Sequence, residues 1–154
     1  VVYAPATGTL WFGSRELGAY RRDSDGRERS IRVGGVEKPA EALITISRSR
    51  RSEPLSEALR RIAPRVVVPM GSAGLKGSLV AEATADAYLA IGAAGKHWDA
   101  CALEALVNAA GGRVTDARGL PLNYRSEGMD LEHGLLVSNQ SLHGALLARL
   151  TATH

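Results

Sequence analysis

One cysteine, Cys101, is all that 154 residues supply, which excludes an intrachain disulfide and the small disulfide-scaffold class. A lone thiol fits a reducing compartment, and a cytoplasmic location is the expectation. Aromatic residues make up only 5% of the chain, and Phe12 is the sole phenylalanine. Few rings are left on which bases could stack, so a nucleic-acid polymer is not the expected partner. Long hydrophobic runs are missing as well. Val66–Met70 and the alanine-rich stretch at Ala102–Ala110 come closest, far short of the roughly 20 residues of a membrane-spanning helix. No basic-then-apolar leader opens the chain, and no membrane partner is expected. Internal repeats, linkers and low-complexity segments are also lacking.

What is present suits a folded domain. Hydrophobic residues account for 45% and charged residues for 23%. The length fits one domain, residues 1–154, with enough chain to bury a core. Charge is unevenly spread. Residues 1–70 hold 13 Lys and Arg against 8 Asp and Glu, whereas residues 71–154 hold 6 against 8. Arg48, Arg50, Arg51, Arg60, Arg61 and Arg65 concentrate in the basic half, a field that favours an anionic partner such as a small phosphate ester. Solvated helix faces and loops account for most of these arginines without any ligand.

The element pattern alternates. Val1–Ala4 and Thr9–Gly13 read as a hairpin around Pro5-Ala6-Thr7-Gly8, with further short strands at Glu16–Arg21 and Ile31–Val33. Asp23-Ser24-Asp25-Gly26 is a turn, since no bidentate Glu follows at calcium-loop spacing. Leu43–Ser47 and Val66–Val68 read as buried strands. Glu53–Ile62 between them is a helix that Ser52 caps and Pro64 ends. A helix over Leu75–Ala83 follows Gly71–Gly74, then a strand of alternating burial over Ala85–Ile91 and a loop over Gly92–Gly95. Trp98–Ala110 is a helix with a stripe of Ala102, Leu106 and Ala110, stopped by Gly111-Gly112. Strands at Arg113–Thr115 and Gly134–Ser138, a turn over Asp116–Gly119 and a helix over Ser141–Leu150 complete the chain. The fold class is α/β, a layered αβα arrangement on a mixed central sheet.

Three constellations carry chemistry. Gly71-Ser72-Ala73-Gly74-Leu75-Lys76 joins a strand to a helix. Small residues admit a ligand to the backbone, free N–H groups at a helix start favour an anion, and Lys76 adds a point charge. The spacing is not that of a Walker loop. A plain turn with a surface lysine explains the same residues. Asp99, in the first turn of its helix, serves either as a cap or as a metal ligand reaching into a cleft beside the sheet. Ser47-Arg48-Ser49-Arg50-Arg51 closes a strand, where ligands gather in α/β sheets; hydroxyls and guanidinium groups there suit a phosphate, and a polar loop is the other reading. His97, His133, His143 and His154 show no paired metal spacing, and no serine or cysteine nucleophile has a recognisable partner.

Together these pieces resemble the inositol monophosphatase superfamily, in its 3'(2'),5'-bisphosphate nucleotidase (CysQ-like) branch. The resemblance covers nearly the whole chain and corresponds to the family's C-terminal half. Val2-Tyr3-Ala4-Pro5-Ala6 with Gly8 is similar to the strand and turn after the family's central motif. Ser47-Arg48-Ser49 is similar to its Ser-Arg-Ser-His segment. Gly71–Lys76, Leu79-Val80-Ala81-Glu82 and Ala85-Asp86-Ala87-Tyr88 resemble the nucleotide branch. Trp98-Asp99 with Ala102, Gly111-Gly112 with Val114-Thr115-Asp116, and Gly119 with Pro121-Leu122 and Tyr124 complete the set.

The resemblance implies the C-terminal half of the sugar-phosphatase fold and a Mg²⁺-dependent hydrolase. Such an enzyme removes the 3'-phosphate of adenosine 3',5'-bisphosphate, giving AMP and phosphate, and clears a by-product of sulfate assimilation. Asp99 is implied as a metal ligand; Ser47, Arg50, Ser72, Gly74 and Lys76 are implied on the nucleotide side. No catalytic residue is assigned in this chain. Arg50 stands where many relatives have His; arginine grips a phosphate but cannot act as a neutral acceptor. The family's other metal ligands lie in an N-terminal Glu motif and an Asp-Pro-(Leu or Ile)-Asp-Gly-Thr motif, and neither occurs here. The chain opens on Val1 inside a strand-like run, so a fragment is expected, inactive by itself, with its other half in the same gene or in another chain. Exposed apolar surface and self-association, including a homo-oligomer, are the corresponding expectation. An inositol or sugar phosphatase and a catalytically inactive nucleotide-binding module are the alternatives.

Overall fold

The computed structural model describes residues 1–125 and 128–151; His154 lies outside them. The first four strands, β1 (Val2–Ala4), β2 (Thr9–Ser14), β3 (Gly18–Arg22) and β4 (Glu28–Ile31), form an antiparallel meander in that order. Alternation sets its two faces. Trp11, Ala19 and Ile31 point inward and are buried, while Phe12 stacks on Tyr20 across the other face at 5.6 Å. β3 begins later than the sequence suggests because residues 15–17 make the hairpin turn, with the Leu17 N–H donating to Ser14 Oγ at 3.2 Å. Strand character near Ile31 extends backward to Glu28, since the Val33 N–H donates to the Ala110 carbonyl instead of to a strand.

The second sheet is mixed. It contains β5 (Leu43–Ser47), β6 (Val66–Met70), β7 (Ala87–Ala90), β8 (Gly112–Thr115) and β9 (Leu135–Asn139), in the order β6-β5-β7-β9-β8. β5 runs parallel to β6 and β7, and β9 antiparallel to β7 and β8. Helices α1 (Glu53–Ile62) and α4 (Gln140–Thr151) cover the face bearing Ile44, Ile46, Ala87, Leu89 and Leu136. Helices α2 (Ala73–Ala81) and α3 (His97–Ala109) cover the face bearing Tyr88, Leu135 and Val137. This is the layered αβα arrangement on a mixed sheet. The meander packs on the far side of α2 and α3 and adds a fourth layer, its Trp11 and Ala19 sharing one core with Leu103 and Leu106.

Two contacts lock the inner layers. At Gly77 a Cβ would sit 2.7 Å from Leu103 Cβ, so glycine lets α2 and α3 approach closely. At the end of α2 the Glu82 side chain, 2% exposed, accepts from Trp11 Nε1 at 2.8 Å and from Arg21 Nη1 at 2.9 Å, with Arg29 Nη2 at 3.6 Å. Thr84 Oγ1 donates to its other oxygen at 2.9 Å.

Several expected boundaries and faces shift. α1 matches its expected span, with the Leu55 N–H donating to Ser52 Oγ and Ala63 left-handed before Pro64. α2 begins at Ala73, ahead of the expected Leu75, because Ser72 caps it. β7 is buried along its whole length instead of alternately, since helices cover both faces of the sheet there. β6 is an edge strand and only half-buried, not a buried strand. The buried stripe of α3 is Ala100, Leu103, Leu106 and Val107, because the helix lies between two sheets; Ala102 faces partly outward. No helix among the described residues is long and apolar enough to cross a membrane.

His143 on α4 is fully buried, with Nε2 2.9 Å from Thr115 Oγ1 and Nδ1 3.0 Å from Ser138 Oγ. Burial first, and the Arg113 charge second, push its pKa from 6.5 down to about 4. The unfolded chain therefore binds more protons between those values, so this stabilisation is complete above about pH 6.5 and drains away as pH falls toward 4. Denaturant unfolding is expected to show a loss of about 2 kcal/mol between about pH 7 and 5 that a His143→Asn variant lacks. An equal loss in both proteins would refute the assignment.

Candidate functional site

β5, β6 and β7 end on the same edge of the sheet, at Ser47, Met70 and Ala90, and α2 and α3 start there. A cavity of about 220 Å³ opens at this edge. Ser47, Arg50, Ser72, Lys76, Tyr88 and Asp99 line it, so residues far apart in sequence share one wall. A crevice outside the carboxyl ends of parallel strands is where α/β sheets hold ligands.

Each side chain is held by its own local structure. Ser47 Oγ accepts from the Arg50 N–H at 3.2 Å and folds the loop that brings Arg50 to the rim. Arg48, Arg50 and Arg51 are exposed and have no carboxylate partner among the described residues, whereas Arg60 and Arg61 on α1 pair with Glu53 and Glu57. Of the first three only Arg50 lines the cavity, where its charge is open to an anion, and the α1 charges belong to a solvated helix face. Ser72 sits at φ 57, ψ 123, and its Oγ accepts from the Leu75 N–H at 3.2 Å. A positive φ is a costly conformation for serine, and the cap compensates for part of it. Gly74 is absent from the cavity wall; a Cβ there would meet Val2 Cγ1 at 3.3 Å, so it spaces α2 from β1.

Lys76 is no surface lysine. It is 3% exposed, its Nζ donating to the Ser72 carbonyl at 2.8 Å and lying 4.6 Å from the Tyr88 ring centroid. Burial, then the Arg50 charge, lower its pKa to about 8, against a smaller opposing effect of Asp99. Above one wall of the cavity, therefore, stands a desolvated cation with no carboxylate in contact. Asp99 does act as a cap, Oδ2 accepting from the Lys96 N–H at 2.9 Å, while it also lines the cavity. Gly95, at φ +127, makes room for it: a Cβ there would lie 2.5 Å from Asp99 Oδ2. Trp98 beside it is 63% exposed.

Asp99 is the only carboxylate on this wall, and no group of three or more His, Cys, Asp or Glu converges among the described residues. Mg²⁺ takes octahedral oxygen coordination, usually through one or two carboxylates plus waters and substrate phosphates. A site for two or more such ions does not fit the residues present. What the wall does offer an anion is one buried ammonium, Lys76, and one exposed guanidinium, Arg50. A larger cavity of about 410 Å³ holds His97, Asp116, Glu132 and His133. Asp116 there is occupied with its own turn, accepting from the Arg118 and Leu120 N–H groups, and no cation is buried on the wall.

Tyr88 lines the cavity and Gly95 packs against Asp99, although the sequence assigns neither a role. Tyr88 lies in a motif quoted above, but nothing local says that its ring faces α2. Gly95 is legible only as one glycine of a loop until the position of Asp99 is known.

A family model described as the inositol monophosphatase family matches residues 1–154. The 3'(2'),5'-bisphosphate nucleotidase CysQ of Escherichia coli K12 is 34% identical over 138 residues, 90% of this chain and 53% of the relative. Its namesake from Buchnera aphidicola is 38% identical over 125 residues, 80% of this chain and 44% of the relative. Among solved structures, the inositol monophosphatase of Anabaena (Nostoc) sp. PCC 7120 superposes with a TM-score of 0.78 at 28% identity, over 97% of this chain and 59% of that one. The chain spans about half the length of the curated relatives it matches.

Proposed function

The chain belongs to the inositol monophosphatase family, and from that premise we propose that it is the substrate-holding part of a cytoplasmic bisphosphate nucleotidase. The reaction is hydrolysis of the 3'-phosphate of adenosine 3',5'-bisphosphate to AMP and phosphate. The buried ammonium of Lys76, with no carboxylate in contact and the unpaired Arg50 guanidinium at the rim, is the observation that carries the reading. Lys76 and Arg50 hold the phosphoester by charge. The Ser72 and Ser47 hydroxyls, already accepting backbone N–H groups, each keep a proton to donate toward a phosphoryl oxygen. Asp99 supplies one oxygen ligand toward the Mg²⁺ of the active enzyme, and further carboxylates come from outside this chain. The chemistry assigned to residues 1–154 stops at binding and orienting the phosphoester.

The test is Asp99→Asn in the full-length parent. Asparagine keeps the cap acceptor and removes the charge, so the fold is retained while phosphate release from adenosine 3',5'-bisphosphate falls at least about 100-fold. Unchanged turnover would sink the role of Asp99, and rapid turnover by the 154-residue chain would sink its assignment as the binding part only. A catalytically inactive nucleotide binder is the second reading, favoured by the single carboxylate of the cavity. An inositol or sugar phosphatase is the third, favoured by the names of the solved relatives. Turnover of inositol 1-phosphate against the bisphosphate nucleotide in the parent separates all three.

A further inference from the structure

Tyr88 is 2% exposed, at the centre of the mixed sheet, yet its hydroxyl makes no hydrogen bond to any described residue. Among the described residues no buried side-chain oxygen or nitrogen lacks a partner, so this hydroxyl is not sealed in the core. It opens on the cavity that Tyr88 lines. Phenylalanine would fill the same space without carrying a polar group so far into the interior. The ring has a separate task, because the Lys76 ammonium lies 4.6 Å from its centroid and the π face attracts a cation. Burial pushes the phenol up to about 12, so it is a donor throughout the working pH range.

We propose that Tyr88 is a ligand-contacting residue, its hydroxyl donating a hydrogen bond to an anionic oxygen of the phosphomonoester that Lys76 and Arg50 attract. The inference rests on the phosphoester reading of the cavity and adds a neutral donor to its two cations. Such a donor discriminates by direction, which a bare cation does not. A hydrogen bond to a charged acceptor is among the stronger kinds.

The experiment is calorimetric titration of the 154-residue chain and its Tyr88→Phe variant with AMP and with inorganic phosphate at neutral pH. The variant is expected to bind both about 10-fold more weakly, with a thermal midpoint within about 2 °C of the parent chain because the hydroxyl has no partner in the fold. Equal affinities would overturn the inference and leave the phosphoester reading standing. Failure of the unsubstituted chain to bind either probe would overturn both. A fall in midpoint of many degrees would show that the hydroxyl is bonded within the protein, and would overturn the inference as well.

Discussion

Glu82→Ala is expected to lower the unfolding free energy by about 3–5 kcal/mol. The carboxylate is buried, and it collects the Trp11 indole N–H and the Arg21 and Arg29 guanidinium groups from the meander while standing at the end of α2. Removing it leaves an indole donor without a partner and takes away the main influence that raises the Arg21 pKa. For a chain of this size the thermal midpoint should fall by about 10 °C. Glu82→Gln, which still accepts from Trp11, should lose less. The reading fails if denaturant unfolding finds the alanine variant within about 1 kcal/mol of the parent chain.

Lys76→Met should do the opposite to stability and remove binding. Keeping an ammonium where its pKa is near 8 costs the fold about 3 kcal/mol at neutral pH. With the folded pKa depressed, that cost is fully present below about pH 8 and disappears as pH rises toward 10.5. Methionine has nearly the same shape and no charge, so the variant should unfold at the same or a higher denaturant concentration, even after the Met70 and Ser72 carbonyls lose a donor. Affinity for AMP should fall about 100-fold, the consequence of losing a desolvated charge facing an anion. Retained affinity would remove Lys76 from the site. A marked loss of stability would show that the lysine serves the fold.

Local signals in the sequence are accurate where one residue type decides the geometry. Ser52 and Pro64 bound α1, Gly111 follows α3, and Leu43–Ser47 is β5 as expected. The differences are tertiary. Ala102 has the spacing of a core position, but a period of 3.6 does not say which face meets a sheet when sheets lie on both sides. Val66–Val68 is apolar enough for a central strand and stands at the edge, an outcome of strand order that no local pattern encodes. The early strands are legible, but their anchoring as a separate layer depends on Glu82, far along the chain. At the site, glycine spacing and the Trp98-Asp99 pair locate the cavity. The burial of Lys76 and the position of Tyr88 depend on α2 lying across β7, and Gly74 shares the motif while the structure uses it against Val2.

The order β6-β5-β7-β9-β8 has a consequence for the timing of folding. β8 reaches the sheet only through β9, and β9 comes after it in the chain. While the polypeptide is being synthesised, one side of β7 keeps its hydrogen-bonding groups unpaired until residues 135–139 have emerged. The cavity wall from Ser47 to Asp99 is available well before then, on a sheet that is still open. The residues of the site are therefore synthesised before the sheet that carries them can close, and in that interval the open side of β7 is exposed to pairing with another molecule.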